Sequence, residues 1–180
     1  HDEIIRRLKP SFFELTVALA FDYFARMRVD VAVVEVGMGG RLDSTNIITP
    51  LLSVITNIGH DHMEFLGNTL EAVAGEKAGI IKEGVPVVIG ETQPETRDVF
   101  LRCAEALNAP ITFADNRFRC GLGRIFPNSS MRRFTLTGLD DGITLHGETP
   151  LGGLAQKKNL QTAAAAVDIL SEELGLSRDH

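Results

Sequence analysis

Between Asp30 and Gly84 the chain carries two short, unbroken apolar runs, each followed at once by residue types that bind metals. The first, Val31-Ala-Val-Val34, meets a carboxylate and three glycines in Glu35-Val-Gly-Met-Gly-Gly40, and Arg41-Leu-Asp-Ser-Thr-Asn46 follows. The second, Leu51-Leu-Ser-Val-Ile55, leads into Thr56-Asn-Ile-Gly-His-Asp-His62. A helix-like segment closes the stretch with Gly75-Glu-Lys-Ala-Gly-Ile-Ile-Lys82. Short runs that are apolar at every position predict strands buried on both faces, the habit of a parallel sheet. Ligands of such sheets bind beyond the carboxyl ends of the strands. Glu35 and the Asp61-His62 pair are expected at that edge, so two strands would deliver metal-ligand chemistry to one rim.

Composition narrows the class. At 180 residues and 44% hydrophobic content, one good core of a soluble globular domain is within reach. The net charge of −6 and the lack of any Lys/Arg run argue against nucleic acid as the main partner. No apolar run reaches the length of a membrane span, and the opening residues carry no signal-peptide pattern, so a cytoplasmic location is expected. Cys103 and Cys120 lack metal-site spacing and read as free thiols in a reducing compartment. The chain opens on His rather than Met, which suits a processed or excised piece.

Taken in order, residues 11–28 predict an amphipathic helix. Ser11 and Glu14 have the spacing of a capping box, and Phe12, Leu15, Leu19, Phe24 and Met27 supply an apolar face. A strand at 31–36 follows, then the Gly-rich turn, then a strand at 51–57 opened by Pro50. Asn68 with Glu71 starts a helix running to about Glu83, with Gly84 as its stop. Val85 to Ile89 is a third strand, Pro94 to Leu107 a helix, and Ile111 to Phe113 a fourth strand. This alternation predicts an α/β fold, a mostly parallel sheet flanked by helices. Between 117 and 149 the pattern changes: Phe134, Leu136, Ile143 and Leu145 alternate around Asp140-Asp141-Gly142, a hairpin signal and an antiparallel edge. An alanine-rich helix from Asn159 to Leu174, ending at Gly175, is the last element.

Three groups stand out chemically. Glu35, directly after apolar residues, is either a Mg²⁺ ligand or an ordinary strand-end carboxylate. Gly37-Met-Gly-Gly40 permits a phosphate loop or merely a tight turn, but Leu42 stands where a dinucleotide fingerprint needs its third glycine. His60-Asp61-His62 cannot all ligate one ion from an extended segment, so one imidazole with Glu35 is the economical site, and His60 reads better as a turn residue. Lys77 has small neighbours in Ala74 and Ala78; it is either an exposed helix lysine or a desolvated, nucleophilic amine able to take up CO₂ as a carbamate. No G-x-x-x-x-G-K-[ST] segment occurs in the chain.

The string Glu35-Val-Gly-Met-Gly-Gly-Arg-Leu-Asp-Ser-Thr-Asn46, with Asp61-His62, Leu66-Gly67 and Glu76-Lys-Ala-Gly-Ile-Ile-Lys82, closely resembles folylpolyglutamate synthase/dihydrofolate synthase. These enzymes belong to the ATP-dependent Mur ligase superfamily, and the resemblance covers about residues 10 to 92. It implies a carbon–nitrogen ligase of folate biosynthesis. ATP phosphorylates a carboxylate of dihydropteroate or a reduced folate, and the amine of L-glutamate attacks the acyl phosphate. It also implies that Glu35, His62 and a carbamylated Lys77 hold Mg²⁺ and form the catalytic centre. By the same likeness Ser11, Phe13 and Asp43 lie where the pterin binds, and Asn159 near adenine, with Thr162 where a second asparagine stands in relatives. The family's P-loop is expected before residue 1 and its C-terminal ligase domain after residue 180. On that expectation residues 1–180 are a partial central ATPase domain of a protein that is monomeric when intact, and are inactive alone. Two rivals remain: a metal-dependent phosphohydrolase using Glu35, His60, Asp61 and His62, and a non-catalytic folate- or nucleotide-binding module.

Overall fold

The computed structural model describes residues 2–59, 67–125, 131–171 and 173–175. Strands β1 (Ser53–Ile55), β2 (Val87–Ile89) and β3 (Ile111–Phe113) pair in that order, all parallel. Val87, Val88 and Ile89 are at most 1% exposed, so β2 is covered on both faces. Alternation along β2 divides the core in two. Val87 and Ile89 join Ile55, Val73, Ala78, Phe100 and Ala104 on one face. Val88 packs with Ala114 and Ala165 on the other.

The helices are α1 (Asp2–Leu8), α2 (Phe12–Met27), α3 (Leu70–Ala78), α4 (Pro94–Ala106), the single turn α5 (Ala114–Arg117) and α6 (Gln156–Leu170). The first face of the sheet takes α3 and α4, the second takes α5 and α6. A second sheet of antiparallel strands, β4 (Phe118–Ile125), β5 (Arg132–Gly138) and β6 (Thr144–Thr149), follows the parallel one in the chain. Its β5–β6 turn falls at Asp140-Asp141-Gly142, with Gly142 N–H on the Gly138 carbonyl and Ile143 N–H on Asp141. Arg117 pairs with Asp140 of that turn and with Asp168 of α6, so one guanidinium joins the second sheet to the first.

Local signals explain most element starts. Ser11 and Glu14 form the expected reciprocal capping box at 3.2 and 2.7 Å. Pro94 opens α4, where a missing N–H is harmless. Helix α3 is capped by Thr69, whose hydroxyl accepts the Ala72 N–H, and not by Asn68. It also stops at Ala78 rather than Glu83: the chain turns at Gly79 and Ile80 so that Ile81 can enter the core. The last helix begins at Gln156 and ends at Leu170, a turn earlier at each end than expected.

The largest departure is at 31–36, which is not a strand. Val33 is 96% exposed and Val31 54%, and no described strand pairs with the run. Apolar residues supply a strand's faces but not its ladder, and the backbone hydrogen bonds must come from a neighbour.

From there the chain enters the Gly-rich loop, and Asp43 organises it. One carboxylate oxygen accepts the N–H groups of Gly37 and Met38 at 3.0 and 2.9 Å. The other accepts the Thr45 N–H and hydroxyl at 2.9 and 2.5 Å, capping a 3₁₀ helix at Ser44–Ile47. Partial burial pushes this carboxyl upward, but the bonds from Thr45, Met38 and Gly37 outweigh it and hold it below the ordinary aspartate range.

Two outcomes are expected. Replacing Phe100, 1% exposed between sheet and α4, by alanine lowers stability by about 3–5 kcal/mol in urea unfolding, with the slope unchanged. Asp43→Ala costs about 1–2 kcal/mol at neutral pH, the value of a capping carboxylate. Because the folded pKa is depressed, that difference is full above about pH 4 and shrinks as the pH falls through the lowered value. Unfolding of both forms at several pH values measures it.

Candidate functional site at the Gly-rich loop

Glu35 lies on the exposed run that leads into the loop, and its carboxylate has no hydrogen-bond or ion-pair partner among the described residues. An unengaged hard oxygen donor suits Mg²⁺, which takes few protein ligands and shares the rest with water and phosphate. Lys77 occupies the last turn of α3, half-buried, and its amine is likewise unpartnered among those residues. The two side chains form no ion pair with each other. His62, with His60 and Asp61, lies outside the described residues, so of the expected trio only the positions of Glu35 and Lys77 are described. Among the described residues no cluster of three or more His, Cys, Asp or Glu side chains is placed to hold a metal.

What joins Glu35's segment to Lys77 is the loop itself. A Cβ on Gly40 would stand 2.7 Å from the Glu76 carbonyl and 3.0 Å from the Lys77 Cα, so only glycine lets the two backbones meet. Arg41 N–H donates to that same Glu76 carbonyl at 2.9 Å, and its guanidinium reaches the Glu76 carboxylate at 3.0 and 3.2 Å. The Asn46 carboxamide donates to the carbonyls of Arg41 and Gly79 at 3.1 and 2.9 Å. Lys82 Nζ donates to the Asn46 carbonyl at 2.9 Å. Sequence reasoning singled out neither Arg41 nor Asn46, since their partners lie more than thirty residues away.

Of the three residues expected around a pterin, two meet at Gly37. The half-exposed Phe13 ring lies against the Gly37 backbone, whose N–H is held by Asp43. Ser11 uses its hydroxyl to cap α2, and so fixes the start of the helix that carries Phe13.

A second group of residues gathers where the parallel strands end. Gly90, just past β2, is wedged between Thr56 and Thr162: a Cβ there would meet the Thr56 carbonyl at 2.3 Å and the Thr162 hydroxyl at 2.5 Å. Thr162 is buried and its hydroxyl donates to the Lys158 carbonyl at 2.9 Å, so this side chain is occupied by packing. Asn159 is exposed in the first turn of α6, its amide on Gln156 at 3.2 Å. Lys158 pairs with Glu91, and Asp115 accepts the Thr92 N–H and hydroxyl at 2.8 and 2.6 Å. A cavity of about 320 Å³ opens here, lined in part by Gly90, Glu91, Asp115, Lys157 and Lys158. Glu91 had the same signal as Glu35, a carboxylate close behind an apolar run.

Residues 11–167 match the family model of the Mur ligase middle domain. The chain is 37% identical over 161 residues to the folylpolyglutamate synthase of Lacticaseibacillus casei, covering 89% of this chain and 37% of that protein. It is 40% identical over 176 residues to a probable dihydrofolate synthetase of Schizosaccharomyces pombe, covering 97% of this chain and 40% of that protein. Among solved structures, an FPGS–AMPPCP–folate complex matches with a TM-score of 0.84 at 33% identity, over 98% of this chain and 43% of that one. The folylpolyglutamate synthase of Thermotoga maritima matches with a TM-score of 0.78 at 34% identity, over 93% of this chain and 39% of that one. The chain thus spans less than half the length of these relatives. With the family model matched over residues 11–167, from the start of α2 into α6, the chain belongs to the Mur ligase middle domain family.

Proposed function

We propose that the protein carrying this chain is an ATP-dependent ligase that adds L-glutamate to dihydropteroate, to a reduced folate, or to both. The observation that carries this is the likeness, over 98% of the chain, to a synthase bound to AMPPCP and folate. The γ-phosphoryl group of ATP passes to the substrate carboxylate, releasing ADP and leaving an acyl phosphate. The glutamate amine then attacks the acyl carbon, loses its proton and expels phosphate, so one C–N bond replaces one C–O bond. Two anions must approach each other in the first step, and that repulsion sets what the site must supply.

Each residue has a part in that chemistry. Phe13 offers a ring face to the pterin beside the Gly37 backbone, and Asp43 keeps that backbone in place. Ser11 fixes the helix start below it. Asn159, exposed in the first turn of α6, would meet adenine by exchanging its bond to Gln156, whereas the buried Thr162 hydroxyl is engaged by the Lys158 carbonyl. Glu35, His62 and Lys77, the last as a carbamate formed from its amine and CO₂, would hold Mg²⁺, which screens the two anions and stabilises charge on the transferred phosphoryl group. The half-buried place of Lys77 and the unengaged carboxylate of Glu35 fit that donor set. The protein acts as a cytoplasmic monomer, without nucleic-acid or membrane partners. The net charge of −6 argues against nucleic acid as the main partner, and no described helix is long and apolar enough to cross a membrane.

The test supplies the full-length protein with labelled glutamate, ATP and Mg²⁺, and with dihydropteroate or tetrahydrofolate in parallel. Glutamylated product and ADP are expected in equal amounts in at least one arm. Lys77→Ala should lower kcat by about 10²-fold or more, the scale for removing one group that stabilises transition-state charge. Phosphate release with no amide product in either arm overturns the proposal.

A further inference from the structure

We propose that Asn46 is a positioning residue for Lys77, acting through the backbone of α3, and that its carboxamide fastens the Gly-rich loop to the turn that carries the amine. The inference rests on the proposed ligase for its catalytic consequence, and on geometry alone for its structural one. Helix α3 has nine residues, with Gly75 among them, and a helix so short is marginal without help from outside. Its last carbonyls need donors, and the N–H groups of Gly79, Ile80 and Ile81 reach those of Glu76, Lys77 and Ala78 at 3.3, 3.2 and 2.9 Å. The Glu76 carbonyl accepts the Arg41 N–H at 2.9 Å, and the Gly79 carbonyl accepts the Asn46 amide at 2.9 Å. Loop residues thus add to the local bonds and tie the end of α3 to the Gly-rich loop.

Asn46 reaches three segments of this seam at once. A single amide nitrogen bridges Arg41 in the loop and Gly79 beyond the helix, while the Asn46 carbonyl takes Lys82 at 2.9 Å. Gly40 and Gly79 bring the backbones into contact, since a Cβ on Gly79 would stand 2.4 Å from the Arg41 Cβ. Their contact is steric and sets a minimum approach; the Asn46 bonds, with those from Arg41 to Glu76, supply the attraction that maintains it. An amide is required here rather than a carboxylate. Aspartate of the same size would turn acceptor oxygens toward two carbonyl oxygens. The order of damage should therefore be Asn46→Asp, then Asn46→Ala, then wild type.

The test uses the full-length protein and two readouts. The first is the rate at which acetic anhydride acylates Lys77, followed by peptide mass spectrometry, with exposed Lys157 as the internal reference. Both Asn46 variants should acylate Lys77 several-fold faster than wild type while Lys157 is unchanged. The second is the ligase assay, in which kcat should fall about 10–100-fold, the usual effect of removing a supporting hydrogen bond behind a metal ligand, with KM for the pterin substrate within a few-fold. Leu136→Ala, buried in the antiparallel sheet, serves as a variant of lowered melting temperature in which Lys77 acylation stays at the wild-type rate. If Asn46→Asp does not fold, Asn46→Ala decides. Unchanged Lys77 acylation in the Asn46 variants, or an equal rise in Leu136→Ala, overturns the proposal. Faster Lys77 acylation in the Asn46 variants, with a wild-type protein that forms no amide product, would uphold the seam and overturn the ligase instead.

Discussion

Everything in this domain is hung from a strand three residues long. Val87, Val88 and Ile89 are covered on both faces, and at about 25 cal/mol per Å² their burial, with that of the helices laid over them, is the dominant favourable contribution. Because side chains alternate, the same three residues commit α3 and α4 to one side and α5 and α6 to the other. That fixes the direction of α3, and with it the turn at which Lys77 can stand. The site is thus specified by packing before any polar contact is made.

Polar contacts then refine what packing leaves loose. The Arg41–Glu76 ion pair is the conspicuous link between loop and helix, yet its side chains are 57% and 28% exposed, and pairs so placed contribute at most about 1 kcal/mol. The uncharged bonds beside it matter more. Arg41 N–H, Asn46 Nδ2 and the two glycines involve main chain on at least one side, lose little side-chain entropy, and meet the needs of a helix end. Asp43 does the same inside the loop, where four donors converge on its two oxygens and use their whole accepting capacity. Its influence on the Phe13 ring passes through the shape of the Gly37–Met38 backbone.

How much of this was legible in the chain depends on the span of the interaction concerned. Ile111–Phe113, the Ser11–Glu14 capping box, the Pro94 start and the turn at Asp140-Asp141-Gly142 are set by neighbours within a few residues, and were readable as written. The choice of Thr69 over Asn68 as a cap was not, because both side chains can accept and only the approach of the chain decides. Arg41 and Asn46 look like ordinary loop residues until the fold brings Glu76 and Gly79 to them. Thr162, which stands where relatives carry a second asparagine, is packed against Gly90 with its hydroxyl on the Lys158 carbonyl, and neither partner is adjacent to it in the sequence.

The run at 31–36 marks the limit of pattern reading. Its composition is that of β2, apolar and β-branched, and yet one is sealed at the centre of a sheet while the other carries a valine that is 96% exposed. The difference lies in the ladder: β2 has a parallel neighbour on each side, and 31–36 has none among the described strands. Side-chain burial and backbone pairing are separate requirements, and a sequence advertises only the first. For Glu35 the consequence is direct. Its place is held by the loop that follows it, through the Asp43 bonds to Gly37 and Met38, and not by a sheet on either side.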